Sequence, residues 1–250
     1  MIKSDLLIFT DLDDTLISTT RKTDFSKNVE TGAFGRDGKP SSHIYSERLE
    51  ILKTLQNIFK IIPTTARTFE SYRRTIFWKD FHLGDAVLNF SGTLIRNGEV
   101  DRDWESEMKT KYKSIPNLKD IRADFQNFIS KNMGEKSPIV KNIENFYVNI
   151  YNKSFRENKK ISLEVENLVE SFKKEQNLND FYIYKNDASF ALIPNFLNKS
   201  VGVQHLIDEL KPKIVFGAGD NSTDFPFMEL SDFYIIPKNS QLDQKLRESF

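Results

Sequence analysis

The sequence predicts an α/β protein with a Rossmann-like three-layer α/β/α core around a parallel sheet, and an α+β module inserted into that core. Short apolar runs bounded by polar residues, such as Leu6–Phe9 and Lys213–Phe216, are typical of strands buried on both faces of a parallel sheet. Amphipathic segments separate these runs, which favours strand–helix–strand units with parallel neighbours. The middle of the chain alternates apolar and polar residues, as in a sheet with one open face.

The first apolar run ends in an acidic motif. Leu6–Phe9 is followed by Asp11, Asp13 and Asp14. Ligands of open α/β sheets bind at the carboxyl ends of the strands, so these carboxylates are predicted to lie at a functional edge. On a strand, Asp11 and Asp13 point to the same side, and their repulsion requires a cation, a shared proton or both. A solvated acidic turn or a Ca²⁺ loop is the alternative interpretation.

The first part of the chain is predicted to continue the core. A polar stretch over 18–46 is interpreted either as a flap that leaves directly from the first strand or as a floppy surface loop. Apolar residues at three- and four-residue steps predict a helix over 44–60, and the strand after it ends in Thr64 and Thr65. Beyond them we expect a helix over 69–81, a strand over 86–90, and a hairpin with its turn at Asn97-Gly98.

Residues 98–195 are predicted to form the inserted module, and residues 1–97 and 196–250 the core. The charge pattern and the alternation inside the insertion predict helices over 102–113, 121–132 and 163–176, and strands over 145–151, 180–184 and 189–194. The α/β pattern then returns with a helix over 201–210, a strand over 213–216, a glycine-rich acidic turn over 217–224, and the elements at 225–230, 233–236 and 241–250.

Composition excludes several classes of function. The chain has 36 Lys and Arg against 36 Asp and Glu, so its net charge does not favour a nucleic-acid partner. The absence of cysteine excludes disulfides, thiolate metal sites and a cysteine nucleophile. No stretch has the length of a membrane span, and we expect a cytoplasmic protein with no membrane partner. The sequence does not fix the oligomeric state.

Several polar groups are predicted to converge on one sheet edge: Asp11 with Asp13, Thr64 with Thr65, Lys199, and Asp220 with Asp224. Carboxylates from two strand ends form a hard-oxygen site suited to Mg²⁺. A hydroxyl and an ammonium opposite them would hold a phosphate. One carboxylate can attack phosphorus, and a second can protonate the leaving oxygen and then deprotonate water. The alternatives are a surface role for Lys199 and a helix cap for Asp224.

These residues resemble the motifs of the haloacid dehalogenase-like (HAD) superfamily of phosphotransferases. The insertion lies between the second and third motifs, which resembles class IIB with its large α/β cap. That class includes the sucrose-phosphate, trehalose-phosphate and mannosyl-phosphoglycerate phosphatases and the phosphomannomutases. The usual second-motif glycine is Ala66 here, and Thr223 stands where many relatives have Asn. The matching segments are Asp11-Leu12-Asp13-Asp14-Thr15 for DxDxT, Thr65-Ala66-Arg67 for the second motif, Lys199 before a helix for the third, and Gly219-Asp220 with Asp224 for GDxxxD.

The resemblance implies a Mg²⁺-dependent phosphatase that hydrolyses a small phosphorylated metabolite, most simply a sugar phosphate, through an aspartyl phosphate. It implies that Asp11 is the nucleophile and Asp13 the general acid/base. Thr65 and Lys199 would bind the phosphoryl group. The implied metal ligands are Asp11, Asp13 through its carbonyl oxygen, Asp220, and Asp224 as a ligand or a neighbour of one.

The inserted cap would set the specificity for the substrate. For Arg67, a helix-start or salt-bridge role is preferred to contact with a ligand, and turn chemistry alone accounts for Asn186. A phosphomutase with the same nucleophile and a non-enzymatic phospho-acceptor, such as a receiver domain, are the alternative functions. Candidates for substrate contact are Thr64, Arg67, Ser91, Gly92 and Asn221 in the core, and Lys185 and Asn186 in the cap.

Overall fold

A computed structural model describes residues 5–134, 137–152, 158–186 and 189–249 of the chain. The chain folds into two compact units. The first unit combines residues 1–105 with residues 198–250, and the second is the continuous stretch 106–197. The second unit is therefore inserted into the first, which contains both ends of the chain.

The elements are named in chain order. The strands are β1 (Leu6–Thr10), β2 (Ser18–Thr19), β3 (Val29–Phe34), β4 (Pro40–Tyr45), β5 (Lys60–Pro63), β6 (Ala86–Leu88), β7 (Thr93–Arg96), β8 (Glu99–Val100), β9 (Ile139–Ile143), β10 (Tyr147–Tyr151), β11 (Phe181–Asn186), β12 (Ser189–Pro194), β13 (Ile214–Ala218) and β14 (Phe233–Ile235). The helices are α1 (Ser46–Ile58), α2 (Phe69–Tyr72), α3 (Ile76–Lys79), α4 (Arg102–Tyr112), α5 (Leu118–Met133), α6 (Lys159–Glu175), α7 (Lys199–Leu210), α8 (Phe225–Met228) and α9 (Gln241–Glu248).

A parallel sheet with the strand order β14-β13-β1-β5 forms the centre of the first unit. Every residue of β1 is buried, as its continuous apolar run predicts for a strand between two parallel neighbours. A parallel bridge between Thr64 and Val87 extends the sheet toward β6. The prediction of an α/β fold with a parallel core sheet and an inserted α+β module is confirmed.

The stretch over 18–46 is an ordered antiparallel sheet, with β4 between β2 and β3. The floppy-loop interpretation was therefore wrong. Ala33 and Ile44 are buried in the same apolar cluster as Ile17. A Cβ atom at Gly32 would lie 2.6 Å from Cγ2 of Ile17, so glycine allows β3 to pack this closely on Ile17. The strands escaped prediction because Ser, Thr and Gly give them little apolar alternation.

One further prediction needs correction, and one strand was not predicted. The helix expected over 69–81 is divided into α2 and α3, because Thr75 between them has extended backbone angles and its hydroxyl donates to the carbonyl of Tyr72. β9 was not predicted, since Lys141 and Asn142 interrupt its apolar pattern. The hairpin turn at Asn97-Gly98 is present between β7 and β8, with positive φ at both residues, as its sequence predicts.

The second unit contains an antiparallel sheet in the order β11-β12-β10-β9, together with α5 and α6. Phe125 of α5 stacks on Phe172 of α6 with ring centroids 4.6 Å apart. Val148 and Ile150 of β10 belong to the same buried cluster. None of the helices in the described ranges combines the length and the hydropathy that crossing a bilayer requires.

Candidate active site

The carboxyl ends of the central strands are held in register at one edge of the core sheet. Asp11 follows β1 directly, and its N–H donates to the carbonyl of Ala218, the last residue of β13, at 2.8 Å. On the other side of β1, the N–H of Thr64 donates to the carbonyl of Thr10 at 2.8 Å. These bonds place the residues after β13, β1 and β5 at the edge where α/β proteins bind ligands.

Lys199 connects two carboxylates at this edge. Its Nζ lies 2.6 Å from Oδ1 of Asp11 and 2.6 Å from Oδ1 of Asp224, and all three side chains are buried. Buried charges are stable only when they are paired, and loss of one partner leaves the other uncompensated. The structure therefore joins the first, third and fourth sequence motifs in a single hydrogen-bonded cluster.

Burial and charge shift the pKa values of this cluster. Burial raises the pKa of Asp11 well above its usual range, against the opposing charge of Lys199. Burial, followed by the negative charge of Asp224, raises the pKa of Asp220 to about 7. Burial alone would lower the pKa of Lys199, but the charges of Asp11 and Asp224 outweigh it and keep the amine protonated.

Asp11, Asp220 and Asp224 fit a divalent metal ion. Each offers a carboxylate oxygen, and these oxygens lie within 4.8 Å of one another. Hard oxygen donors of this kind suit Mg²⁺. Asp224 is held in place because its Oδ2 accepts the N–H groups of Asp220 at 3.1 Å and of Asn221 at 3.2 Å. The raised pKa values of Asp11 and Asp220 also agree with a cation site, because carboxylates that are crowded together without a cation repel one another and hold protons more tightly.

The side chain of Asp13 points to a different partner. Nε of Arg67 donates to Oδ2 of Asp13 at 2.7 Å, and Nη2 donates to Oδ1 at 2.6 Å. The Asp13 side chain is 39% exposed and that of Arg67 14% exposed. The sequence left several roles open for Arg67, and the structure shows it in a salt bridge. The carboxylates of the described residues that could share a metal ion are those of Asp11, Asp220 and Asp224, so Asp13 could contribute only its backbone carbonyl.

Thr15 was given no role from the sequence, although the DxDxT pattern contains it. Its buried Oγ1 lies 3.4 Å from Oδ2 of Asp11 and 3.4 Å from Oδ1 of Asp220. The hydroxyl is therefore within reach of both carboxylates. The spacing within the acidic motif was the signal that could have identified Thr15.

The remaining core candidates have hydroxyl or amide groups that bond within the protein. Oγ1 of Thr64 donates to the carbonyl of Ile62 at 3.3 Å, whereas Oγ1 of Thr65 accepts the N–H of Arg67 at 3.2 Å. Oδ1 of Asn221 accepts the N–H of Thr223 at 2.7 Å within its own loop. These contacts fix the loops that carry the three side chains.

Ser91 and Gly92 lie in a buried turn after β6, and the Ser91 hydroxyl bonds to the start of α7. The side chain of Ser91 is fully buried, and its contact with a substrate stays a prediction. In the second unit, Lys185 and Asn186 are exposed at the end of β11, and Lys185 forms an ion pair with Glu166.

A parallel α/β core with a buried lysine and an acidic cluster at its carboxyl edge, and with an inserted α+β unit, is the arrangement that the resemblance to HAD phosphatases led us to expect. A family profile described as sucrose-6F-phosphate phosphohydrolase matches residues 4–247, and the chain belongs to this family. The protein is therefore a phosphoric monoester hydrolase, and the resemblance seen in its motifs is confirmed.

Solved structures with the same fold include sugar and nucleotide phosphatases. The sucrose-phosphatase of Synechocystis sp., in complex with sucrose and phosphate, has a TM-score of 0.53 and 14% identity, covering 98% of this chain and 96% of that one. The trehalose-6-phosphate phosphatase of Aspergillus fumigatus has a TM-score of 0.51 and 15% identity, with 95% and 85% covered. The IMP-nucleotidase of Plasmodium falciparum has a TM-score of 0.57 and 18% identity, with 94% and 58% covered. No curated protein sequence matches.

Proposed function

We propose that the protein is a Mg²⁺-dependent phosphatase that hydrolyses a sugar phosphate through an aspartyl phosphate. The observation that carries this proposal is the position of Asp11, whose carboxylate meets Lys199 at the carboxyl edge of the sheet, within 4.8 Å of ligand oxygens from Asp220 and Asp224. A carboxylate beside a fixed ammonium and a cation site suits attack on a phosphate dianion, because positive charge offsets the repulsion between the two anions.

In the first step, Asp11 attacks phosphorus while the bond from phosphorus to the sugar oxygen breaks. Asp13 enters this step in its protonated form, gives its proton to that leaving oxygen, and becomes the carboxylate that Arg67 pairs with. In the second step, Asp13 takes a proton from water, the water oxygen attacks phosphorus, and the Asp11 carboxylate is released with inorganic phosphate. Lys199 and the Thr65 hydroxyl bind the phosphoryl oxygens in both steps.

Asp11, Asp220, Asp224 and the carbonyl oxygen of Asp13 would hold Mg²⁺, which lowers the repulsion between the nucleophile and the phosphate when it is bound. Lys199 supplies the same kind of charge from the protein itself, since its amine stays protonated. Burial raises the pKa of Asp11, and the positive charge of Lys199 opposes that rise.

A sugar phosphate is the substrate class that the family supports, since the matching profile is that of sucrose-6F-phosphate phosphohydrolase. The second unit is the proposed specificity cap, with Lys185 and Asn186 exposed at the end of β11 as candidates for substrate contact. A small phosphate ester is accordingly the proposed partner.

Phosphate release from a panel of esters tests the proposal. The panel contains sucrose 6F-phosphate, trehalose 6-phosphate, glucose 6-phosphate and IMP, each measured as kcat/KM with Mg²⁺ and with EDTA. We expect the highest value for a sugar phosphate and no turnover with EDTA. A highest value for IMP would contradict the substrate class. An isomeric sugar phosphate formed without phosphate release would favour a phosphomutase, and no turnover of any ester would favour a phospho-acceptor.

Asp11→Asn tests the nucleophile, with Asp120→Asn on the exposed start of α5 as the matched control. We expect Asp11→Asn to abolish turnover and the labelling of the protein by ³²P-phosphate ester in quenched reactions. Asp120→Asn should behave as the parent does. An Asp11→Asn protein as active as the parent would reject the aspartyl-phosphate mechanism.

A further inference from the structure

A left-handed turn follows β6 and lies against the start of α7. Asn89, Phe90 and Ser91 have φ angles of 52°, 55° and 75°, and all three residues are buried. Residues other than glycine rarely adopt this conformation, because it brings Cβ too close to the backbone. Such strain persists only where the surrounding structure imposes it, and it is concentrated at functional sites.

Hydrogen bonds fix the turn from several directions. The N–H of Asn89 donates to the carbonyl of Arg67 at 3.0 Å, and the N–H of Gly92 donates to the carbonyl of Asn89 at 3.0 Å. The indole Nε1 of Trp104 donates to the carbonyl of Ser91 at 2.7 Å in buried surroundings. The backbone of the turn is thus tied both to the second sequence motif and to the start of α4.

The side chain of Ser91 enters the first turn of α7. Its Oγ lies 2.5 Å from the carbonyl oxygen of Asn198 and accepts the N–H of Gly202 at 2.9 Å. These two groups are the ones that the first i→i+4 bond of the helix would join. A serine hydroxyl has one proton to donate, and here that proton is directed at the carbonyl oxygens of the helix start, those of Asn198 and Lys199.

Gly202 allows this contact. A Cβ atom at position 202 would lie 2.9 Å from Oγ of Ser91 and 2.9 Å from Cγ1 of Val87. Both distances are shorter than an ordinary van der Waals contact, so a side chain at 202 would push α7 away from the turn. Ser91 and Gly202 together set how closely α7 approaches the core sheet.

Lys199 is the first residue of this helix, and its Nζ lies 2.6 Å from both Asp11 and Asp224. A displacement of the helix start would carry the lysine backbone with it. We propose that Ser91 and Gly202 are positioning residues for Lys199, which they place so that its amine lies between the two carboxylates. This inference rests on the proposed role of Lys199 in binding the phosphoryl group.

Ser91→Ala tests the positioning role through the binding of inorganic phosphate, measured as its inhibition constant against the preferred ester with Mg²⁺ present. We expect the inhibition constant to rise and kcat/KM to fall by about tenfold or more, since misplacement by about 1 Å can cost 10²-fold. Gly202→Ala should change both quantities in the same direction. Unchanged phosphate inhibition in both variants would overturn the inference.

Thr75→Ala is the matched control, because it also removes a buried hydroxyl that donates to a backbone carbonyl, that of Tyr72 at 2.8 Å. We expect Thr75→Ala to lower Tm in the same way as Ser91→Ala while the inhibition constant for phosphate stays unchanged. Equal changes of the inhibition constant in the two variants would show a general effect of stability and would overturn the positioning role.

A double-mutant cycle with Lys199→Met separates this inference from the proposed function. If Ser91 acts through Lys199, Ser91→Ala should not weaken phosphate binding further in the Lys199→Met background. A full additional loss there would overturn the positioning role alone. A Lys199→Met protein that binds phosphate and turns over as the parent does would instead contradict the role of Lys199 in the proposed function.

Discussion

Arg67 holds both carboxylate oxygens of Asp13 in a two-pronged ion pair, through Nε at 2.7 Å and Nη2 at 2.6 Å. Charge-assisted bonds in this fork geometry fix orientation as well as distance. Arg67 is the last residue of the Thr65-Ala66-Arg67 segment, whose first residue is the proposed phosphate ligand. The second motif therefore contacts the first through a side chain that orients Asp13.

Arg67→Gln is expected to lower kcat by about 10- to 100-fold with little change in KM, because Asp13 would lose its fixed orientation toward the leaving oxygen. Arg67→Lys should fall between this variant and the parent, since lysine keeps the charge and loses the fork. Steady-state kinetics on the preferred sugar phosphate measures both constants. A rise in KM at unchanged kcat would instead make Arg67 a substrate contact.

Lys199→Met is expected to destabilise the metal-free protein by about 3–5 kcal/mol, because it leaves Asp11 and Asp224 buried without their cation. Adding Mg²⁺ should raise the Tm of this variant by more than it raises the Tm of the parent. Thermal unfolding with EDTA and with Mg²⁺ measures the difference. Lys213→Met removes an exposed pair with Asp5 and should cost at most about 1 kcal/mol. Equal losses in the two variants would contradict the prediction.

Gly219→Ala is expected to destabilise the protein by about 1–3 kcal/mol and to weaken the dependence of activity on Mg²⁺. The new Cβ would lie 2.5 Å from Cβ of Asp224 and 2.8 Å from Sδ of Met228, which displaces Asp224 from the acidic cluster. Urea unfolding and Mg²⁺ titration of activity measure the two effects. Gly38→Ala is the control: at its φ of 75° an alanine strains the backbone, but nothing lies within 4 Å of the added Cβ, so stability should fall while the Mg²⁺ titration stays unchanged.

Ile44→Ala is expected to destabilise the first unit by about 2–5 kcal/mol, because its side chain on β4 is only 1% exposed and packs in the apolar cluster of the core. Ile51→Ala on α1, where the side chain is 59% exposed, should lower the free energy of unfolding by less than half of that amount. Urea unfolding of both variants measures the difference. Equal, small effects would restore the interpretation of 18–46 as a loop.

Local sequence signals were sufficient to predict much of the fold. The apolar runs at Leu6–Phe9 and Lys213–Phe216 predict β1 and β13, because a strand between parallel neighbours needs apolar side chains on both faces. The acidic and basic residues that follow these strands predict which edge carries the site. The structure brings Asp11, Lys199, Asp220 and Asp224 together there, as the motifs led us to expect.

Contacts between distant segments were beyond the reach of the sequence. Asp13 and Arg67 are 54 positions apart, and the sequence could not show that Arg67 would turn toward Asp13 and not toward a ligand. The hydroxyl of Ser91 could equally have faced a substrate, and only the close approach of Gly202 directs it into α7. The direction of these side chains depends on how distant helices and strands pack, and the local sequence carries no information about that packing.

The buried lysine also affects which ions the cluster would accept. When ionised, the three carboxylates of the cluster carry one negative charge each: Asp11, Asp220 and Asp224. Lys199 contributes one positive charge to the same buried space. Two negative charges then remain, which is the amount that a single divalent cation cancels. A monovalent ion would leave an incoming phosphate facing residual negative charge, so under the proposed function the ammonium group of Lys199 would favour a divalent ion over a monovalent one.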